Sequence, residues 1–215
     1  MFSRPSIYFI MGTSNAKEKE PHFLLNEALA AGITHFQLRE KGETALRGEA
    51  LEKFARECQA LCTQYGVPFI INDDVELALA IGADGVHVGQ EDMHCGDVRA
   101  LIGAEKVLGV SVHSEEEAAQ AIAGGADYLG MGPVFATISK NDAKEPAGVR
   151  KIIEVTRKYP QVPIVGIGGI TSENANEVWQ AGAAGIAVIS AIAQARDVSA
   201  EIGRLRDSYE RGQMI

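Results

Sequence analysis

Apolar segments of strand length recur along the chain: IYFIMG from Ile7, HFQLRE from His35, PFIIND from Pro68, GVHVG from Gly85, KVLGVSV from Lys106, YLGMGPV from Tyr128, PIVGIGG from Pro163 and GIAVISA from Gly185. Between them run helical patterns such as EPHFLLNEALAAG, LRGEALEKFARECQALCTQYG, EEEAAQAIAGG and SENANEVWQAG, with apolar residues three and four apart. The joints rhyme. Ala31-Gly32-Ile33-Thr34, Gly82-Ala83-Asp84-Gly85, Gly125-Ala126-Asp127-Tyr128 and Gly182-Ala183-Ala184-Gly185 each stop a helix with glycine and restart an apolar strand.

Eight strand–helix alternations in 215 residues predict an α/β fold, a (β/α)8 TIM barrel with residues 1–215 as a single domain. An open doubly wound sheet is the alternative. It would usually carry a glycine-rich dinucleotide turn after its first strand, and Gly12-Thr13-Ser14-Asn15 has no such pattern.

The 46% hydrophobic content and 23 glycines suit a large buried core with many tight turns. No apolar run approaches the ~20 residues of a membrane span, and the opening MFSRPSIYFIMGTSNAKEKE has too short an apolar stretch for a signal peptide. Cys58, Cys62 and Cys95 are odd in number and lack zinc-site spacing, so reduced thiols and a cytoplasmic protein are expected. A formal net charge of −9 argues against nucleic acid and anionic membrane surfaces as partners, both of which are bound through excess Lys and Arg. An anionic small molecule remains compatible if a local cationic site exists.

In a barrel of this type the chemistry sits at the C-terminal ends of the strands and in the loops that follow. The stretch from Gly66 to Asp92 reads strand, helix, strand, and each strand closes in an amide followed by two acidic residues: Asn72, Asp73 and Asp74 after the first, Gln90, Glu91 and Asp92 after the second. Parallel neighbours joined by a helix bring those ends to one edge, so Asp73 and Asp92 can converge. Such a pair suits Mg2+, a hard cation that takes oxygen ligands and keeps waters and substrate phosphates. Equally, Asp73 or Asp74 can cap the helix VELALAIGA.

The strand end Gln37-Leu38-Arg39-Glu40-Lys41 sets Gln37, Arg39 and Lys41 on one face and Phe36, Leu38 and Glu40 on the other. Arg39 and Lys41 together would clamp the oxygens of a phosphate or diphosphate; the plain alternative is a solvated charge run. Ser111 ends the fifth strand, where it can meet a ligand or cap a helix, although Ser114 is better set for capping. His87 and His113 read as structural histidines. The long connection from Gly132 to Pro146 offers Thr137, Ser139 and Lys140 on a loop of lid length, or a surface excursion. Gly166-Ile167-Gly168-Gly169-Ile170 and Ile189-Ser190 carry a phosphate signature, since barrels bind phosphate on the loops after strands seven and eight. The C-terminal SYERGQMI predicts no more than a frayed helix end.

Taken together, QLREK, IINDD, GADGVHVGQED, GADYLGMGPVFATISK, IVGIGGIT and AVISAI, in this order from about Tyr8 to Ala191, closely resemble the thiamin phosphate synthase family. The resemblance implies a (β/α)8 barrel that couples 4-amino-5-hydroxymethyl-2-methylpyrimidine diphosphate to hydroxyethylthiazole phosphate, releasing diphosphate. Matched by motif, Gln37, Leu38, Arg39, Glu40, Lys41, Asn72 and Lys140 would bind the pyrimidine diphosphate, Ser111 would contact the pyrimidine, and Asp73 with Asp92 would hold one Mg2+. Thr137, Ile138, Ser139, Gly169, Ile189 and Ser190 would bind the thiazole phosphate. Arg39, Lys41, Lys140 and Ser111 are the implied catalytic residues. Ser139 stands where the family commonly has threonine, and keeps the hydroxyl. A related barrel that lacks the cation and diphosphate residues acts as a thiazole tautomerase; those residues are present here. A tautomerase using His113, and a silent phosphate-binding regulator, are the competing readings. The partners implied are small molecules, with no nucleic acid and no membrane, and the sequence leaves a homo-oligomer open.

Overall fold

The structure is a computed structural model that describes residues 2, 5–16, 19–137, 145–146 and 148–213. Strands β1 (Ser6–Met11), β2 (His35–Leu38), β3 (Phe69–Asn72), β4 (Gly85–Val88), β5 (Val107–Val112), β6 (Tyr128–Met131), β7 (Ile164–Ile167) and β8 (Gly185–Val188) are parallel and close in chain order, with β8 paired back onto β1. Among the described residues the helices are α1 (Pro21–Ala30), α2 (Gly48–Tyr65), α3 (Val75–Ile81), α4 (Cys95–Ile102), α5 (Glu115–Ala123), α6 (Arg150–Lys158), α7 (Ala175–Gln180), α8 (Ser190–Ala193) and α9 (Val198–Gln213). This is the expected (β/α)8 barrel, and the eight apolar segments are its strands.

The two-residue period of a strand divides each one between two cores. Ile7, Phe9 and Met11 of β1 point outward with Phe36, Leu38, Phe69 and Ile71 into the layer between sheet and helices. Tyr8, Ile10, Ile70, Tyr128, Val165 and Ala187 point inward and fill the barrel. Burying each large apolar side chain contributes about 1.5–3 kcal/mol, which is why the outer layer can hold so many helices against the sheet.

The rhyming joints have a physical task at the bottom of the barrel. Asp84 Oδ2 accepts the Phe69 amide at 2.8 Å, and Asp127 Oδ2 accepts the Leu108 amide at 2.7 Å while pairing with Arg99 at 2.6 Å. Each carboxylate thus satisfies an amide at the start of a strand. The glycines before them end helices in the left-handed region, as at Gly82 with φ +67°, where a side chain would be strained. Structural polar groups therefore serve the N-terminal end of the barrel and leave the C-terminal end open for chemistry.

The C-terminal segment is better ordered than the sequence predicts. Ser208 and Tyr209 lie in α9, where Ser208 Oγ accepts from Trp179 Nε1 at 2.9 Å and the Tyr209 ring meets Trp179 edge-on at 5.5 Å. Burial, not sequence pattern, holds this helix end. Cys58, Cys62 and Cys95 are buried and unbridged, and burial raises the pKa of all three thiols, that of Cys62 to about 12. No helix among the described residues is long and apolar enough to cross a membrane.

Candidate active site

The acidic wall of the mouth is built at the end of β3. Asp73 has φ +62°, and among the described residues it is the only non-glycine in the left-handed region. Aspartate tolerates this conformation better than most residues. The turn is held by the Asp73 amide, which donates to His87 O at 2.8 Å. Asp74 accepts the Leu77 amide at 2.8 Å and caps α3, so of the two adjacent carboxylates the second belongs to the helix and the first to the mouth.

Asp73 Oδ2 lies 2.6 Å from Lys41 Nζ, and the Asp92 carboxylate is near enough to raise the Asp73 pKa. Asp92 is held in turn by the Gly89 amide, 2.7 Å from its Oδ2. Burial first, and then the Asp92 carboxylate, raise the pKa of Asp73, while the Lys41 ammonium opposes the rise. Two carboxylates this near each other need a proton or a cation between them. Among the described residues no group of three or more His, Cys, Asp or Glu side chains could hold a metal ion. A cation at this pair would therefore take two protein carboxylates and complete its shell with substrate oxygens and water, the habit of Mg2+.

The cationic wall follows β2, and alternation decides which side chains reach it. Gln37 points into the barrel and is buried, and beyond the strand Lys41 reaches the Asp73 carboxylate at the mouth. Leu38 is buried in the outer core. The Glu40 carboxylate accepts from the Thr13 amide, from Thr13 Oγ1 at 3.1 Å and from the Leu46 amide at 3.0 Å. The resemblance implies that Leu38 and Glu40 contact the ligand, and both line, with Lys41, Asn72 and Asp73, a cavity of about 300 Å3 at the strand ends. Leu38 faces the helices, and Glu40 ties down the loops after β1 and β2. Asn72 sits half-buried at the end of β3, in register with His87.

Between the walls, Ser111 Oγ lies 2.9 Å from His87 Nε2. His87 Nδ1 lies 2.8 Å from the Tyr128 hydroxyl, so both ring nitrogens of this histidine have partners within the protein. His113 is structural: its amide and Nδ1 both meet the Glu117 carboxylate, the ring nitrogen at 3.0 Å. Ser114, not Ser111, caps α5 by accepting the Glu117 amide at 3.1 Å.

Across the mouth, the loops after β7 and β8 enclose a cavity of about 220 Å3 that includes Thr137, Gly168, Gly169, Thr171, Ile189 and Ser190. Gly169 has φ +62°, and a Cβ there would stand 2.3 Å from Ala136 O. The loop after β6 is pinned against it, since the Val134 amide donates to Ile167 O at 2.9 Å and the Phe135 amide to Gly168 O at 3.0 Å. Ser190 opens the short helix α8. Thr171 was missed by sequence reasoning, although its position directly after GIGGI in a phosphate-type loop is the signal that could have found it. Ile138, Ser139 and Lys140 lie outside the described residues.

The fold and this mouth define a (β/α)8-barrel enzyme of anionic, phosphate-bearing substrates, with a carboxylate-and-ammonium wall facing a glycine-lined cavity. The sequence profile of the thiamine monophosphate synthase family matches residues 7–192. A thiamine-phosphate synthase from Lysinibacillus sphaericus is 55% identical over 192 residues, covering 89% of this chain and 90% of that protein. One from Bacillus mycoides is 52% identical over 205 residues, covering 95% and 93%. The structure of a thiamine phosphate pyrophosphorylase from Pyrococcus furiosus superimposes with a TM-score of 0.84 at 35% identity, covering 97% of this chain and 96% of that one. The chain belongs to the thiamine monophosphate synthase family and is a transferase of thiamine biosynthesis.

Proposed function

We propose that this chain joins 4-amino-5-hydroxymethyl-2-methylpyrimidine diphosphate to hydroxyethylthiazole phosphate, giving thiamin phosphate and diphosphate. The observation that carries the reading is the Asp73–Asp92 carboxylate pair beside Lys41, set across one mouth from the Gly169 cavity. One wall suits a diphosphate with its cation and the other a monophosphate, which are the anions of the two substrates.

In this reading the bond between the pyrimidine methylene carbon and the diphosphate oxygen breaks first, and its electron pair leaves with the diphosphate. Arg39, Lys41 and Lys140 are the cations that stabilise the charge gathering on those oxygens. Mg2+, when bound by Asp73 and Asp92, supplies further positive charge to the same oxygens. Asn72 and Gln37 orient the pyrimidine diphosphate, and Ser111 holds the pyrimidine ring. Thr137, Ile138, Ser139, Gly169, Ile189 and Ser190 hold the thiazole phosphate, so that the thiazole nitrogen faces the electron-deficient methylene carbon. That nitrogen already has a lone pair and forms the new carbon–nitrogen bond without a general base. The protein's task is to orient the partners, neutralise charge and exclude water. The same reading puts the chain in the cytoplasm, where its three buried thiols stay reduced.

The test is diphosphate release from the two substrates with and without Mg2+. Metal-dependent release requiring both substrates is expected; release that ignores the metal, or none, would overturn the proposal.

A further inference from the structure

A hydrogen-bonded file of side chains runs through the barrel interior to Ser111. Gln37 Nε2 lies 3.0 Å from the Tyr8 hydroxyl, Tyr8 and Tyr128 hydroxyls are 2.9 Å apart, Tyr128 is 2.8 Å from His87 Nδ1, and His87 Nε2 is 2.9 Å from Ser111 Oγ. The file draws on β2, β1, β6, β4 and β5 in turn. Room for it is cut into the barrel by two glycines. A Cβ at Gly109 would stand 2.2 Å from Tyr128 Cζ and 2.5 Å from His87 Nδ1, and one at Gly130 would stand 3.0 Å from His87 Cε1.

The direction of the file follows from its first member. The Gln37 amide nitrogen can only donate, so the Tyr8 oxygen accepts and its own proton is left for Tyr128. Tyr128 then passes its proton to Nδ1 of His87. An imidazole that accepts at Nδ1 carries its proton on Nε2 and donates it to Ser111. Burial keeps both phenols protonated, so each has one proton to pass on. With Gln37 presenting its Nε2, the reverse order would have the Tyr8 oxygen accept from both Gln37 and Tyr128, and the Tyr8 proton would find no acceptor within the file. Having accepted from His87, Ser111 has its hydroxyl proton left for the mouth.

We infer that the Gln37–Tyr8–Tyr128–His87 file polarises Ser111 as a hydrogen-bond donor to the ligand, and that this selects a ring-nitrogen acceptor on the pyrimidine rather than its exocyclic amino group. The inference rests on the proposed function for the identity of the ligand, and on the hydrogen bonds alone for the direction of the file. Tyr8, Tyr128 and His87 are positioning residues in it.

Two measurements test it. Nitrogen-15 NMR of histidine-labelled protein, with His87 assigned through His87→Gln, reads the tautomer directly. The expected state is protonated Nε2 and bare Nδ1; a protonated Nδ1 overturns the file. This needs no substrate and uses a variant in the file only to assign the signal, the tautomer being read on the unaltered protein, so it stands if Tyr128→Phe fails to fold or the function is misread. The second is steady-state kinetics with pyrimidine diphosphates in which each ring nitrogen in turn is replaced by C–H, or the amino group by hydrogen. In wild type one ring-nitrogen replacement should raise KM about tenfold, one hydrogen bond's worth. Ser111→Ala should abolish that discrimination and Tyr128→Phe should weaken it, with KM for the thiazole phosphate unchanged in both. Discrimination that follows the amino group through Ser111, or that survives Ser111→Ala, overturns the inference. Failure of the parent diphosphate to react overturns the functional reading, leaving the tautomer to decide the file.

Discussion

Lys41 Nζ sits 2.6 Å from Asp73 Oδ2, so the ammonium that follows one strand is held in place by the carboxylate that follows the next. Each group neutralises the other until the ligands arrive. Asp73 also lies near Asp92, which leaves two carboxylates for one ammonium.

That imbalance has a pH signature. Because burial and Asp92 raise the folded-state pKa of Asp73, its contribution to stability is fully present below the ordinary aspartate value of about 3.9 and is lost as pH rises through the raised value. At neutral pH the metal-free mouth therefore bears a repulsion that Mg2+ would relieve. Thermal melts with and without millimolar Mg2+ should show a stabilisation that is largest near neutrality and fades as pH falls toward the ordinary carboxylate range. A metal-induced shift of equal size at both ends of that window would count against the pair as the metal site.

Asp92→Ala should reduce metal-dependent turnover by about a hundredfold or more. The fold should survive, because the structural loss is the bond to the Gly89 amide, about 1 kcal/mol. For a chain of this size that is a fall in Tm of about 2–4 °C. Circular dichroism melts beside diphosphate assays separate the two effects.

Gly169→Ala should act on the other substrate. A side chain there meets both a strained φ and the Ala136 carbonyl, a cost of about 1–3 kcal/mol that pushes the loop after β6 off the cavity. KM for the thiazole phosphate should rise while that for the pyrimidine diphosphate stays near its wild-type value, as initial-rate measurements with each substrate varied would show.

Glu40→Gln separates a structural role from a ligand contact. The carboxylate accepts from two backbone amides and a hydroxyl, so its loss should lower stability by about 1–2 kcal/mol. Denaturant unfolding should register that loss while both KM values stay near wild type. A large rise in the KM of the pyrimidine diphosphate would restore Glu40 to the binding site.

Lys140→Ala should lower kcat by about 10^2–10^3, as expected for removing one charge that stabilises a departing anion. KM should change far less. Single-turnover diphosphate release at saturating substrate would measure it.

The strands were legible because each is a short apolar run punctuated by glycine, and the barrel was legible because there are eight of them. Asp73 and Asp92 were legible as candidates because strand ends are where a barrel keeps its chemistry, and the motif match already set Asp74 apart as the helix cap that the structure shows it to be. The face of Glu40 was also legible, from simple alternation. The file from Gln37 to Ser111 was illegible. Its members are scattered over five strands, and their meeting depends on barrel stagger and on room vacated at Gly109 and Gly130, which no local pattern encodes.

Asp73 and Asp74 stand side by side with unrelated duties, one turned into the mouth and the other starting α3. The architecture of this unit depends on the Asp74 side chain and, at position 73, on a residue that tolerates a positive φ. A change of Asp73 to asparagine or glycine would therefore remove a carboxylate from the mouth and keep a sound barrel with its glycine-lined cavity intact, ready to be recruited to other work. Retirement from catalysis is, for this fold, a small evolutionary step.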